Sequence, residues 1–142
     1  MKIYKLITVT DEVVHAFEKL IPQLAPDCTL PSKEDLQAIV DSNHTILCMA
    51  EEHNELLGTL TLVLNKIPTG NKVWIEDVVV DSSARGKGVG EALIQFAVAY
   101  VKDQNITSIN LTSSPDRVAA NKLYQKLGFI KRQTNVYRLT II

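Results

Sequence analysis

The sequence has no excess of charge of either sign. Fifteen Lys and Arg stand against sixteen Asp and Glu, for a formal net charge of −1. No global positive field therefore exists to hold a nucleic-acid backbone by counterion release. Cysteine is scarce: Cys28 and Cys48 form no CxxC pair and lack metal-ligand spacing. They allow one disulfide or two idle thiols, and the idle thiols of a reducing compartment are the favoured reading. No long apolar run is present. Thr8, Thr10, Asp11 and Glu12 break the start of the chain, which is too short and too polar for a signal peptide or a membrane span. The expected location is the cytoplasm, with no membrane or nucleic-acid partner. His15, His44 and His53 each stand apart from any Ser, Cys or carboxylate pattern, so no metal site is expected. Repeats and low-complexity segments are also missing.

What remains is an ordinary amount of everything. The chain has 142 residues, 46% of them hydrophobic and 22% charged, which suits one globular domain over residues 1–142. A chain of this size buries about 68–70% of its unfolded surface, enough for a core without staples. Residues 2–9 read as a strand. Asp11 can cap a helix in which Val14, Phe17, Leu20, Ile21 and Leu24 recur at helical spacing. Ser32 and Asp35 form a variant capping box before Leu36, Ile39 and Val40. Residues 45–50 and 56–64 read as a hairpin, and residues 67–71 as a turn. Residues 73–80 are almost continuously apolar, as in a strand buried on both faces. From Val89, the residues Ala92, Leu93, Phe96, Ala97, Tyr100 and Val101 define a long helix. Residues 106–111 form a short strand. Ser114 and Pro115 then start a helix that Gly128 ends, with Ala120, Leu123, Tyr124 and Leu127 inside. A brief strand at 129–131 and a final one at 136–142 complete the reading. The class is α/β or α+β, with helices on both faces of one sheet.

The segment with chemical content is Asp81-Ser82-Ser83-Ala84-Arg85-Gly86-Lys87-Gly88-Val89-Gly90. It links the apolar strand to the long helix. Three glycines in five residues let backbone approach a ligand closely. The helix N-terminus offers unpaired N–H groups and partial positive charge, and Arg85 and Lys87 add full charges. A diphosphate suits this set. The loop is neither of the common phosphate loops: GxGxxG would need glycine at position 91, where Glu91 stands, and a Walker A loop would need Ser or Thr after Lys87, where Gly88 stands.

The pattern that fits is [Q/R]-x-x-G-x-[G/A], filled by Arg85, Gly88 and Gly90. It resembles the acetyl-CoA signature of the GNAT family of N-acetyltransferases. The run Trp74-Ile75-Glu76-Asp77-Val78-Val79-Val80 is similar to the family's fourth strand, and Ala120, Leu123, Tyr124, Gly128 and Phe129 fill a second family block, A-x-x-[LF]-Y-x-x-x-G-F. The order of elements also matches over nearly the whole chain. The resemblance implies the acyl-CoA N-acyltransferase fold, with a single mixed, mostly antiparallel sheet. It implies acetyl-CoA as co-substrate, with its diphosphate on the backbone of Arg85, Gly86, Lys87, Gly88, Val89 and Gly90 and its pantetheine arm along Val78, Val79 and Val80. Many members carry Asn seven residues before the tyrosine. This chain has Arg117 there, and Asn121 is the residue that would take over part of that contact.

The resemblance assigns Tyr124 as general acid near the thioester sulfur. Glu76 is the leading base, since a carboxylate inside an apolar strand is costly unless used or paired. Alternation puts Glu76 and Asp77 on opposite faces, and a bulge would decide which one looks into the cleft. The expected reaction is direct acetyl transfer to a primary amine of a small molecule or peptide. The acceptor pocket is expected between the first two helices and the hairpin. The rival reading is a non-catalytic CoA-binding sensor or scaffold, which would need neither Glu76 nor Tyr124. The apolar run at 136–142 would leave a sheet edge for a partner, so a homodimer is expected.

Overall fold

A computed structural model describes all 142 residues. They divide into two compact units, Met1–Thr112 and Ser113–Ile142. The first holds strands β1 (Lys2–Lys5), β2 (Thr45–Glu52), β3 (Glu55–Ile67), β4 (Gly70–Val80) and β5 (Asn110–Leu111), and helices α1 (Asp11–Leu24), α2 (Lys33–Asp41) and α3 (Val89–Asp103). The sheet order is β1-β2-β3-β4-β5, antiparallel throughout except for the parallel β4–β5 pair. This is the mixed, mostly antiparallel sheet expected.

Local chemistry explains most boundaries. The cap of α1 is Thr10, one residue earlier than expected: its extended backbone lets Oγ1 accept from Val13 N, while Asp11 and Glu12 occupy the first turn, where carboxylates oppose the helix dipole. The Ser32 box forms in full, with Ser32 Oγ accepting from Asp35 N and Asp35 Oδ2 accepting from Ser32 N. The two hairpins are tighter than expected. His53 and Asn54, both at positive φ, make a two-residue turn between Glu52 and Glu55, and Pro68 and Thr69 alone join Ile67 to Gly70.

Register assigns the faces. Leu47 and Met49 of β2 pack with Tyr4, Val13, Phe17 and Leu36 under α1 and α2. Their neighbours Ile46, Cys48 and Ala50 point the other way, toward α3, whose Val89, Leu93, Ile94, Ala97 and Val101 are buried. Lys5, opposite Cys48, lies over the Tyr100 ring of α3, 5.8 Å from its centroid. Helices therefore cover both faces. Cys48 is buried, which pushes its thiol up to about 12, and Cys28 is exposed and free.

The second unit contains α4 (Val118–Lys126). This helix begins one turn later than Ser114 and Pro115 suggested. The Ser114 carbonyl accepts from Arg117 N in a closed turn and from Asn121 Nδ2, so residues 114–117 form a separate loop. Residues 129–142 form no strand, contrary to expectation. Val136, Tyr137, Leu139 and Ile141 are at least three-quarters exposed, and β propensity alone cannot make a strand without a ladder partner.

Gly58 sits where β3 meets α3. A Cβ there would lie 3.0 Å from Val79 O, 3.2 Å from Val89 Cγ1 and 3.3 Å from Leu93 Cδ1. Gly58→Ala is expected to destabilise the fold by about 1–3 kcal/mol through overpacking, read as a lower urea midpoint at constant m. An unchanged midpoint would show that α3 does not press on β3 there.

Candidate functional site

The pairing of β4 with β3 slips once. Thr59 faces Val79 and Thr61 faces Glu76, so two steps along β3 match three along β4. The extra residue makes a bulge, and Asp77 takes φ +49, a left-handed conformation that Asp tolerates better than most residues. Cross-strand partners share a face. The bulge thus puts Glu76 together with Val79, on the α1–α2 side, where a regular strand would have put Val78. Glu76 and Asp77 are both exposed, while Val78 and Val80 are half-buried and Val79 is buried. The expectation that Glu76 is a buried carboxylate is therefore corrected. The burial pattern of β4 is interrupted where its ladder breaks, so Glu76 pays no desolvation cost, and none of the ion pairs involves it.

Beside the bulge, β4 loses its other neighbour. β5 pairs only through Trp74↔Asn110 and Ile75↔Leu111. From Glu76 to Val80 the edge of β4 away from β3 has no strand beside it, and its backbone groups can accept an extended, amide-bearing chain as a further strand would.

The chain leaves β4 through a 3-10 turn (Ser82–Ala84) and enters α3 through Arg85, Gly86, Lys87 and Gly88. Gly86 has φ +80 and Gly88 φ +79, with open space around each. Their requirement for glycine is conformational, not a matter of crowding. Gly88 is the cap of α3 and supplies no side chain to the first turn. The N–H groups of Val89 and Gly90 are thus left for an outside acceptor, while the Val89 side chain is buried and fixes the helix start. Arg85 and Lys87 are exposed beside them. This set fits a diphosphate.

A residue that sequence reasoning passed over holds the loop. Asp81 is 2% exposed. Its carboxylate accepts from Ser83 Oγ at 2.5 Å, Gln23 Nε2 at 2.9 Å and Lys19 Nζ at 2.9 Å. Its backbone N donates to Leu57 O and its carbonyl accepts from Ala84 N. Gln23 Oε1 accepts from Ser82 N at 2.9 Å. The hydrogen bonds from Ser83, Gln23 and Lys19 hold the Asp81 carboxyl well below the usual carboxylate range. Lys19 and Gln23 stand four residues apart on α1, a spacing visible in the sequence, but their partner lies far along the chain.

In the second unit, Tyr124, Gly128 and Phe129 close α4. Phe129 N donates to Tyr124 O, Gly128 N donates to Gln125 O, and Gly128 has φ +98. This is a Schellman cap, completed by a tilted contact of the Tyr124 and Phe129 rings with centroids 5.9 Å apart. Tyr124 is buried, which raises its phenol above the ordinary value, and Arg117 partly opposes that shift. Asn121 Nδ2 donates to Ser114 O at 2.9 Å and to Arg117 O at 2.8 Å, so its amide nitrogen is used within the loop and helix start.

With this geometry in place, comparison with known proteins gives a consistent picture. The acetyltransferase (GNAT) family is matched over residues 9–129, and the chain belongs to it. It is 31% identical to streptothricin acetyltransferase of Escherichia coli over 113 residues, 75% of this chain and 60% of that one. It is also 31% identical to a probable glucosamine 6-phosphate N-acetyltransferase of Oryza sativa subsp. japonica over 128 residues, 82% of this chain and 75% of that one. The crystal structure of an aminoglycoside acetyltransferase from an uncultured soil metagenomic sample superposes with a TM-score of 0.87 at 18% identity, covering 99% of this chain and 96% of that one. The fold is thus that of this family. The chain spans less than two thirds of the streptothricin enzyme's length. No helix is long and apolar enough to cross a membrane.

The depressed Asp81 carboxyl has a pH consequence. A carboxylate favoured in the folded state stabilises above its unfolded pKa, about 3.9, and that stability is lost as pH falls toward the lower folded value. Wild-type protein should therefore lose stability below about pH 4, and Asp81→Asn should be weaker at pH 7 with a shallower acid fall. Urea midpoints at pH 7, 4 and 3 measure this; parallel falls in both proteins would remove Asp81 from the linkage.

Proposed function

We propose that the protein is an acetyl-CoA-dependent N-acetyltransferase acting on a primary amine, and that residues 1–142 work as one acetyltransferase domain. The observation that carries this reading is the strand–loop–helix unit from β4 to α3: an unpaired strand edge, two left-handed glycines and an uncapped helix start in series. The family match, which runs through residues from both units, supports it. Bound acetyl-CoA would supply an activated acyl thioester. The backbone of Val78, Val79 and Val80 holds the amide-bearing arm, and the backbone of Arg85, Gly86, Lys87, Gly88, Val89 and Gly90 holds the diphosphate, with the Arg85 and Lys87 charges beside it. Asn121 Oδ1 is a further contact for the cofactor.

The amine must lose a proton to become a nucleophile, and the departing thiolate must gain one. Exposed Glu76 takes the first proton, directly or through water. Tyr124, kept protonated by burial, gives the second. The amine nitrogen attacks the thioester carbonyl directly, since Cys48 is buried and held as a thiol and Cys28 sits in no activating environment. The relatives named for streptothricin and glucosamine 6-phosphate favour a small-molecule acceptor, reached from the α1–α2 side on which Glu76 lies. A cytoplasmic enzyme is the accompanying reading; the homodimer expectation loses its ground, because residues 136–142 form no sheet edge.

A panel of primary amines incubated with acetyl-CoA should show thiol release together with acetylation of at least one amine by mass. Tight CoA binding without transfer to any of them would favour the sensor or scaffold instead. Gly88→Glu, which puts a carboxylate into the diphosphate cradle, should abolish CoA binding, whereas Gly88→Asn, compatible with positive φ, should retain more of it. Unchanged CoA affinity in Gly88→Glu would sink the loop assignment. Tyr124→Phe should lower kcat by about 10²-fold with little change in CoA affinity, and an unchanged rate would remove Tyr124 from the chemistry.

A further inference from the structure

The loop proposed to hold the diphosphate has few bonds of its own. Arg85, Gly86, Lys87 and Gly88 are all exposed, and the two glycines lose more conformational freedom on ordering than other residues would. Something must hold its start. The turn that precedes it is fastened to α1 by one side chain, Gln23, used at both ends. Its Nε2 donates to Asp81 Oδ1 at 2.9 Å and to Lys19 O at 3.0 Å, and its Oε1 accepts from Ser82 N at 2.9 Å. Only one amide orientation satisfies all three partners, since a flipped amide would set NH2 against the Ser82 N–H and oxygen against the Asp81 carboxylate. Asp81 in turn draws Ser83 Oγ and Lys19 Nζ onto the same carboxylate. Three consecutive residues, Asp81, Ser82 and Ser83, are thereby tied to one another and to the last turns of α1.

We infer that Gln23 and Asp81 are positioning residues for the anion-binding loop: α1, through Gln23, holds the turn from which the loop springs and so pre-orders the backbone that receives the diphosphate. This rests on the proposed acetyl-CoA reading. Neither residue touches the diphosphate. Their effect is on the ordering cost of binding, which pre-organisation removes in advance. The bond from Gln23 to the nearly fully buried Asp81 carboxylate is charge-assisted and costly to leave unmade, and the exposed bond from Ser82 N to Gln23 fixes the direction of the turn. Lys19, whose side chain is 63% exposed, adds less than Gln23.

The test compares wild type, Gln23→Leu, Asp81→Asn and the double variant, using CoA titration and the kcat/KM for acetyl-CoA and for S-acetyl-pantetheine. The latter keeps the amide arm and thioester but lacks the diphosphate. Gln23→Leu and Asp81→Asn should each weaken CoA by about tenfold, and the double variant by little more than either alone, because they act through one network. The kcat/KM for acetyl-CoA should fall while that for S-acetyl-pantetheine holds within about twofold. Phe17→Leu, which loosens α1 in the core away from the network, should lower stability and leave CoA affinity as it was. If Asp81→Asn fails to fold, Gln23→Leu decides alone. Wild-type CoA affinity in Gln23→Leu overturns the inference, as do equal losses with both thioesters. Gly88→Glu separates the two levels. If it loses CoA while Gln23→Leu keeps it, the loop reading stands and the positioning role is wrong. If both keep CoA, the loop reading fails and the positioning role falls with it.

Discussion

Backbone amides and carbonyls need partners, and the arrangement of this protein follows from where β4 is denied them. On one side β4 is paired with β3 along nearly its whole length. On the other, β5 supplies two residue pairs and stops at Ile75. The unpaired stretch from Glu76 to Val80 is also the stretch that carries the bulge, the candidate base and the entry to the glycine loop. An unpaired edge is ordinarily a hazard that proteins cover or charge. Here two carboxylates, Glu76 and Asp77, stand at its start, and the edge is short.

The bulge and the glycines are two solutions to one geometrical problem. A strand that must offer backbone at its edge and a carboxylate from its face needs a local change of period, which the extra residue at Asp77 provides. A helix that must present its first N–H groups needs a cap without a side chain, and Gly88 is one. Both depart from the most stable local choice. The compensation lies in the packing beneath them: Gly58 brings β3 against Val89 and Leu93, and Asp81 gathers the turn.

Much of this was legible in the chain because its causes are local. The capping box at Ser32 and Asp35, the periodicity of α3 and the two hairpins depend on residues within a turn or two of each other. The Tyr124-x-x-x-Gly128-Phe129 block is local too, and its physical content in the structure is a helix terminus: Tyr124 is C3, Gly128 C′ and Phe129 C″ of a Schellman cap. What was not legible required a distant partner. Asp81 reads in sequence as the polar end of a strand, and only the packing of α1 makes it a buried anion. Glu76 was expected to be buried because apolar neighbours surround it in sequence, but the break in the ladder exposes it. Residues 136–142 have the composition of a strand, and composition does not supply the ladder.

The limited pairing of β5 also bears on how this protein opens and closes. The β2–β3 and β3–β4 contacts join sequence neighbours through two-residue turns, so little chain entropy is spent in closing them. The β4–β5 contact closes a loop that includes the whole of α3 and gains only two residue pairs. It is the least well secured junction of the sheet. Opening of a sheet starts where pairing is shortest, and β4–β5 is the shortest pairing of this one. The strand edge on which the proposed chemistry depends thus borders the shortest pairing of the sheet, and a chain laid along that edge would act as a staple beside it.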